Sequence, residues 1–235
     1  MKLSIVCLGI LLALLIALPA MADQVYVVGN PPDPGNGNCF PWGCAYNAEY
    51  QQVYGSSDFN APLLIRDLEF YNTQFDSGST QLPSGTWTIT LGTSQIVGVN
   101  TITGSFAGNL ANSFNVQQVW TGNINQAWVF GNTLHIDLAV PYNYDPAQGN
   151  LLMDVVGQGV SLPGGSTFFD VNSTGGFFTR VYCNGGVDCG DNGIVDNAGF
   201  GLVTGFSSNE IPEPGTLLMM GTGLLGALGV VRRYS

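Results

Sequence analysis

The side chains able to carry out acid–base or nucleophilic chemistry are few and scattered along this chain. His135 is the single histidine. A Ser-His-Asp triad would have to use it, yet the sequence contains no nucleophile-elbow motif. Glycoside hydrolysis needs two facing carboxylates, and no spacing pairs the four candidates, which are Glu49, Glu69, Asp137 and Asp154. We therefore expect no enzymatic activity and no cofactor, with His135 on an exposed strand face.

An acidic, glycine-containing segment beside Cys189 offers oxygen atoms to a cation. Calcium binds several carboxylate and amide oxygens on flexible loops. The spacing matches neither an EF-hand loop nor a nonapeptide repeat, so we favour a turn-rich acidic loop, with a calcium site as the alternative. The oxygen-bearing residues of this segment are Asp188, Asp191, Asn192, Asp196 and Asn197. We expect no metal site, and Asp188, Asp191 and Asp196 are the candidate ligands of the alternative calcium site.

Aromatic side chains in two loops could bind sugar rings by stacking. Loops at the ends of β domains commonly carry binding function. Packing in the core or in the loop is the interpretation that we favour for each of these rings. The candidates are Trp42, Tyr46, Tyr142 and Tyr144.

The composition restricts the class of partner. The formal net charge is −11, and charged residues make up only 9% of the chain. Between the two hydrophobic ends only Arg66 and Arg180 are basic, so no basic stripe is available to neutralise phosphates. We therefore expect no nucleic-acid binding and an acidic surface that suits a solvated, extracellular location.

Four cysteines follow the first hydrophobic segment in two close couples, Cys39/Cys44 and Cys183/Cys189. An even number of cysteines in an exported chain indicates disulfides. We expect pairing within each couple, which would close two short loops, while the spacing leaves crossed pairing between the couples open. A four-cysteine zinc site is a further alternative, although neither spacing is C-x2-C.

Short apolar segments separated by turn residues predict an all-β protein. No stretch between the two hydrophobic ends shows a long helical apolar period with caps. Many short strands at near-regular spacing are typical of a two-sheet antiparallel β-sandwich, and we expect a jelly-roll-like one. The predicted strands are residues 25–28, 50–54, 63–71, 86–91, 96–102, 114–120, 126–130, 133–140, 149–156, 177–182 and 199–206.

Two of these segments alternate clearly enough to assign their faces. In segment 86–91 the residues expected to face inward are Trp87, Ile89 and Leu91. In segment 133–140 they are Leu134, Ile136, Leu138 and Val140. His135 and Asp137 then face water. The faces of segment 63–71 are ambiguous because Arg66 breaks the alternation.

The N-terminal end predicts export. Lys2 precedes an uncharged, mostly apolar run from Ile5 to Leu18, which is too short to span a bilayer comfortably and is typical of a signal peptide. Ala20 and Ala22 form an A-x-A cleavage signal for signal peptidase, so we expect the mature chain to begin at Asp23. A retained anchor helix is the alternative.

The C-terminal end predicts a membrane segment. Pro212, Glu213 and Pro214 precede an uncharged run from Gly215 to Val231, and Arg232-Arg233 follows it. As a helix this run would span about 25 Å, slightly less than the ~30 Å hydrocarbon layer. The arginines would hold the C-terminus in the cytoplasm. A permanent single-span anchor is one interpretation.

This end of the chain closely resembles the PEP-CTERM sorting signal, which combines a Pro-Glu-Pro motif, a short glycine-containing hydrophobic helix and a basic terminus. The resemblance implies recognition by an exosortase, a membrane cysteine transpeptidase that cleaves near the motif. It also implies a Gram-negative bacterium that makes extracellular polysaccharide. The same tail is sometimes labelled the C-terminal domain of ice-binding proteins, a label that describes the tail alone.

Parts of the middle segment resemble the β domains often found upstream of such tails. The resemblance spans most of this segment and brings no established activity with it. The similar phrases are Tyr50–Tyr54, Phe59–Pro62, Pro141–Pro146 and Gly149–Val155.

The sequence thus predicts a signal peptide at 1–22, a β-sandwich ectodomain at 23–209 and a sorting signal at 210–235. The expected partners are signal peptidase, an exosortase and the membrane. The expected location is a membrane-anchored precursor, then the cell surface or the extracellular space. The expected function is a non-catalytic structural or adhesive role, with a carbohydrate-binding module of the polysaccharide matrix as the alternative and a secreted hydrolase as a further one.

Overall fold

The computed structural model describes residues 23–44, 48–76, 80–95, 102–162, 165–183, 193–196 and 199–210. The predicted signal peptide, with Ala20 and Ala22, lies outside these residues. So do Pro212, Glu213, Pro214 and the terminal arginines. Within the described ranges, no helix combines the length and the apolar character needed to cross a membrane.

The described residues form mostly antiparallel β-structure, as the sequence predicts. A single short α-helix, α1 (Phe106–Ala111), accompanies the strands in the described ranges. The strands are β1 (Asp23–Val28), β2 (Ala48–Tyr54), β3 (Leu63–Tyr71), β4 (Ser84–Ser94), β5 (Ser113–Gly122), β6 (Thr133–Tyr144), β7 (Asn150–Ser161), β8 (Val171–Asn172), β9 (Phe178–Tyr182), β10 (Ile194–Asp196), β11 (Gly201–Leu202) and β12 (Thr204–Glu210).

The long strands belong to two antiparallel sheets. One sheet has four strands in the order β1-β12-β3-β6, and the other has six in the order β10-β9-β2-β7-β4-β5. β8 and β11 form a separate pair. The chain moves between the two sheets at each of its first connections, because β1 and β3 lie in the smaller sheet and β2 and β4 in the larger.

Side chains from both sheets meet in one apolar core. The ring of Tyr54 on β2 contacts the ring of Phe206 on β12 edge-to-face, with centroids 5.0 Å apart. A second contact joins Thr93 Oγ1 on β4 to the hydroxyl of Tyr142 on β6 at 3.2 Å. The two sheets therefore cover each other's apolar faces, which removes these large side chains from water.

The predicted faces of β4 are confirmed, and a β-bulge explains the ambiguity in β3. Trp87, Ile89 and Leu91 are fully buried. In β3 the register with both neighbours shifts at Arg66, and one extra residue reverses which side chains face the core. The buried apolar residues of β3 are accordingly Leu63, Ile65, Leu68 and Phe70.

The inward orientation predicted for Val140 is wrong. Leu134, Ile136 and Leu138 are buried, but Val140 is 44% exposed. β6 pairs with β3 on either side of residues 138–141 and not along them. The pairing with β3 is interrupted there, so the alternation of the sequence does not place the Val140 side chain in the core.

The strand predicted at 126–130 is also wrong. Ala127 forms only an isolated bridge to Gln81, and no ladder extends from it. Trp128 is buried while Val129 and Phe130 are more than half exposed. The segment is therefore a loop that contributes one side chain, Trp128, to the core, and its other apolar residues do not indicate a strand. The strand predicted at 96–102 falls almost entirely outside the described residues.

The helix α1 was not expected from the sequence. With six residues it has fewer than two turns, so no apolar period can be recognised. Its start is fixed by Ser105, whose side chain accepts a hydrogen bond from the Gly108 N–H at 3.0 Å. This is the arrangement that favours serine at helix N-caps.

Candidate functional site

The structure separates the four carboxylates considered for glycoside hydrolysis into two sheets. Glu69 and Asp137 lie on β3 and β6, whereas Glu49 and Asp154 lie on β2 and β7. Asp154 is buried and accepts a hydrogen bond from Gln51 Nε2 at 3.0 Å. It therefore belongs to an internal polar network.

That network links the six-stranded sheet to α1. Gln51 Nε2 also donates to the Phe106 carbonyl at 3.0 Å, and Asn109 Nδ2 donates to Gln51 Oε1 at 2.9 Å. Burial raises the pKa of Asp154 from 3.8 to about 6, and the hydrogen bond from Gln51 opposes this rise. The network thus holds a carboxylate whose charged form is disfavoured by its surroundings.

The aromatic residues considered for sugar stacking are not available at the surface. Trp42 is fully buried and packs on Phe70 with ring centroids 5.2 Å apart. Tyr142 and Tyr144 are each 1% exposed, and the Tyr144 hydroxyl donates to a backbone carbonyl. The interpretation that these three rings pack inside the protein is confirmed, and they are not available for sugar stacking. Tyr46 lies outside the described residues.

The calcium candidates are only partly described. Asp188 and Asp191 lie outside the described residues. The Asp196 carboxylate lies 3.4 Å from Nη2 of the buried Arg180, whose guanidinium stacks over the Phe200 ring at 4.1 Å. The calcium site therefore stays a prediction.

The first disulfide is confirmed. Cys39 and Cys44 are bonded to each other, with their Cα atoms 5.0 Å apart. This excludes crossed pairing between the two couples. The bond of Cys183 to Cys189 stays a prediction, because Cys189 lies outside the described residues.

One cluster of metal-ligating side chains lies on the outer face of the four-stranded sheet. His135 Nδ1 is 3.4 Å from Asp67 Oδ2 and 3.8 Å from Glu69 Oε1. One ligand atom from each of the three side chains lies within 4.8 Å of the other two. No other group of three or more potential ligand side chains occurs in the described ranges.

Strand pairing builds this cluster. Asp67 and Glu69 are two residues apart on β3 and therefore point to the same face. Glu69 is opposite His135 on β6, and Asp67 is opposite Asp137. The inward neighbours of these residues belong to the core, so the outer face of the sheet carries the His135 imidazole beside the carboxylates of Asp67 and Glu69.

The two carboxylates of the cluster have different surroundings. Asp67 is 9% exposed, and no hydrogen-bond donor in the described part of the chain reaches its Oδ1 atom. Burial raises the pKa of Asp67, while the neighbouring His135 opposes that rise. Glu69 Oε2 accepts a 2.7 Å hydrogen bond from the Tyr71 hydroxyl, which fixes the carboxylate towards His135.

Sequence reasoning correctly placed His135 and Asp137 on a water-facing strand but missed their neighbours. The signal was the pair of acidic residues at alternate positions of segment 63–71. It could not be used because the bulge at Arg66 interrupts the alternation of β3. The sequence therefore does not show which side chains share a face or how β3 pairs with β6.

Comparison with known proteins gives a match at the C-terminal end. Residues 210–233 match the family described as the PEP-CTERM protein-sorting motif. None of the curated proteins compared with the chain matches it.

A chain in the crystal structure of the T13 IBDV viral particle is similar over 89% of this chain and 48% of its own length, with 10% identity and a TM-score of 0.22. This chain therefore spans about half the length of the viral one. That similarity is too low to support an inference. The family match to the PEP-CTERM protein-sorting motif covers residues 210–233 and describes that end of the chain.

Proposed function

We propose that this chain is an exported protein which an exosortase-type enzyme sorts to the cell surface or the extracellular space, where its β domain has a non-catalytic, structural role. The observation that carries the proposal is the sorting motif at residues 210–233. In this proposal residues 1–22 are a signal peptide that signal peptidase removes.

The physical character of the tail supports a membrane-bound precursor. Prolines cannot continue a helix, so Pro212 and Pro214 keep the segment before the apolar run extended and accessible to a protease. The run from Gly215 to Val231 is uncharged and inserts as a helix, and the terminal arginines stay on the cytoplasmic side. The β domain then stands on the opposite side until cleavage releases it.

The strand order supports a jelly-roll β-sandwich as the exported domain. Jelly rolls are eight-stranded double sheets built from two Greek keys. Eight strands here form two facing four-stranded sets, β1-β12-β3-β6 and β2-β7-β4-β5, with β9 and β10 extending the second set. We propose that this sandwich is the structural element presented outside the cell.

The chemistry of the domain suits that location. All but one of the 16 acidic residues precede the sorting motif's Pro-Glu-Pro sequence, and the chain contains only five basic residues. The Cys39–Cys44 disulfide is typical of oxidising compartments. Three of the four aromatic residues considered for carbohydrate binding are buried in the core and cannot stack on a sugar. We therefore propose the structural role.

We expect the triple substitution Pro212→Ala, Glu213→Ala and Pro214→Ala to block release. The apolar run is unchanged, so the variant should still insert and accumulate as a full-length precursor in the membrane fraction. Fractionation followed by immunoblotting, in a host that contains an exosortase, measures this distribution.

The matched control is Pro34→Ala, which removes an exposed proline from a loop of the β domain. This control should be released like the natural chain. Equal release of the triple variant and the natural chain would contradict the proposed sorting function.

A further inference from the structure

We propose that Asp67, Glu69 and His135 form a binding site for one divalent transition-metal ion, best matched to Zn²⁺, on the outer face of the four-stranded sheet. The site is separate from the acidic segment around Asp196 and independent of the sorting motif. Its ligands come from two adjacent strands, so the sheet itself positions them.

The distances between the ligand atoms fit a shared metal ion. Zinc binds imidazole nitrogen and carboxylate oxygen at about 2.0–2.2 Å, and two ligands of one ion are then roughly 3–3.5 Å apart. His135 Nδ1 lies 3.4 Å from Asp67 Oδ2 and 3.8 Å from Glu69 Oε1. The three ligand atoms lie within 4.8 Å of one another, so side-chain movements of up to roughly an ångström would bring all three to bonding distance.

Asp67 gives the second indication of a cation. It is 9% exposed, and its Oδ1 atom is buried without a hydrogen-bond donor in the described ranges. A buried carboxylate oxygen without a partner is costly, and a metal ion coordinated by both oxygens of Asp67 would offset the cost. The His135 imidazole does not offset it, because its Nδ1 atom lies against Asp67 Oδ2 and Glu69 Oε1.

No basic side chain competes for this position. The described part of the chain contains two arginines, and neither forms an ion pair with the cluster; Arg180 pairs with Asp196. Because neither arginine of the described ranges pairs with these carboxylates, a bound dication reduces the repulsion among them.

The donor set determines the class of metal. Calcium takes six to eight oxygen ligands, whereas this site supplies one nitrogen and two carboxylates. Imidazole suits zinc and its transition-metal neighbours. Three protein ligands leave at least one coordination position for water, and the 59% exposed side chain of His135 leaves the site open to solvent.

The test is Zn²⁺ titration of the full-length chain, purified in detergent without a histidine tag, by isothermal calorimetry. We expect one ion per chain in the natural protein. Glu69→Gln and His135→Gln should each weaken binding by more than roughly tenfold, the loss that even an outer partner of a metal ligand produces. The matched control, Asp76→Asn, changes an exposed acid elsewhere and should bind as the natural chain does.

A second measurement does not depend on the variants. His135 is the only histidine, so the ring signals in an NMR spectrum report one site. Zn²⁺ should shift these signals and select the tautomer protonated at Nε2, because Nδ1 is the ligand. Unshifted signals, or Zn²⁺ binding that survives in His135→Gln, would overturn the proposal.

Discussion

Replacing Phe206 by alanine is expected to lower the free energy of unfolding by about 3–5 kcal/mol, the range measured for phenylalanine truncation in protein cores. Phe206 is fully buried. Its ring contacts Tyr54 at 5.0 Å, across the interface between the sheets, and Phe59 at 5.4 Å. The substitution removes apolar contacts from both sheets and leaves a cavity between them. Denaturant unfolding of the purified protein measures the change.

The matched control is Phe130→Ala. Phe130 is 51% exposed and lies in the loop where a strand was expected. Its truncation should change the free energy of unfolding by less than about 0.5 kcal/mol, as surface substitutions usually do. Similar losses for the two variants would show that the two sheets do not share the core described above.

Replacing Asp154 by asparagine is expected to stabilise the protein above pH 6, by up to about 3 kcal/mol. Burial raises the pKa of Asp154 to about 6, and each unit of difference from the unfolded value corresponds to about 1.4 kcal/mol. Asparagine keeps the oxygen that accepts from Gln51 Nε2 but carries no charge to bury. Urea unfolding of both proteins between pH 3.5 and pH 8 measures the difference.

The direction with pH follows from the raised pKa. The folded protein holds the proton of Asp154 more tightly than the unfolded chain does. The natural protein therefore loses stability as the pH rises from about 4 to about 6 and loses no more from this group above that range. The advantage of Asp154→Asn should grow over the same window.

The control substitution Asp76→Asn, at an exposed acid, should show no such growth. Subtracting the natural protein's curve from each variant's removes the contribution of Asp58, whose pKa is also raised to about 6 by burial. A constant difference between Asp154→Asn and the natural protein from pH 3.5 to pH 8 would show that Asp154 carries no buried charge.

The long strands could be predicted from the sequence because they alternate against a single core. Trp87, Ile89 and Leu91 bury one face of β4 as expected. The predictions failed where local geometry departs from that rule. Trp128 is a core residue supplied by a loop, and α1 is too short to show a helical period.

The outer-face cluster could not be predicted because it depends on register. Glu69 and His135 are far apart in the sequence and become neighbours only when β3 pairs with β6. The bulge at Arg66 determines that register, and no residue pattern marks it in advance. Trp42 and Tyr144 occupy loop-like sequence and yet reach the core, which confirms packing as their role and leaves sugar stacking without these rings.

The most direct test of the sorting account is mass measurement of the natural protein recovered from outside a cell that contains an exosortase. We predict a chain that begins at Asp23, ends near Pro212–Pro214 and lacks the apolar run from Gly215 to Val231. Recovery of the unprocessed 235-residue chain from the cytosol, with reduced cysteines, would contradict it.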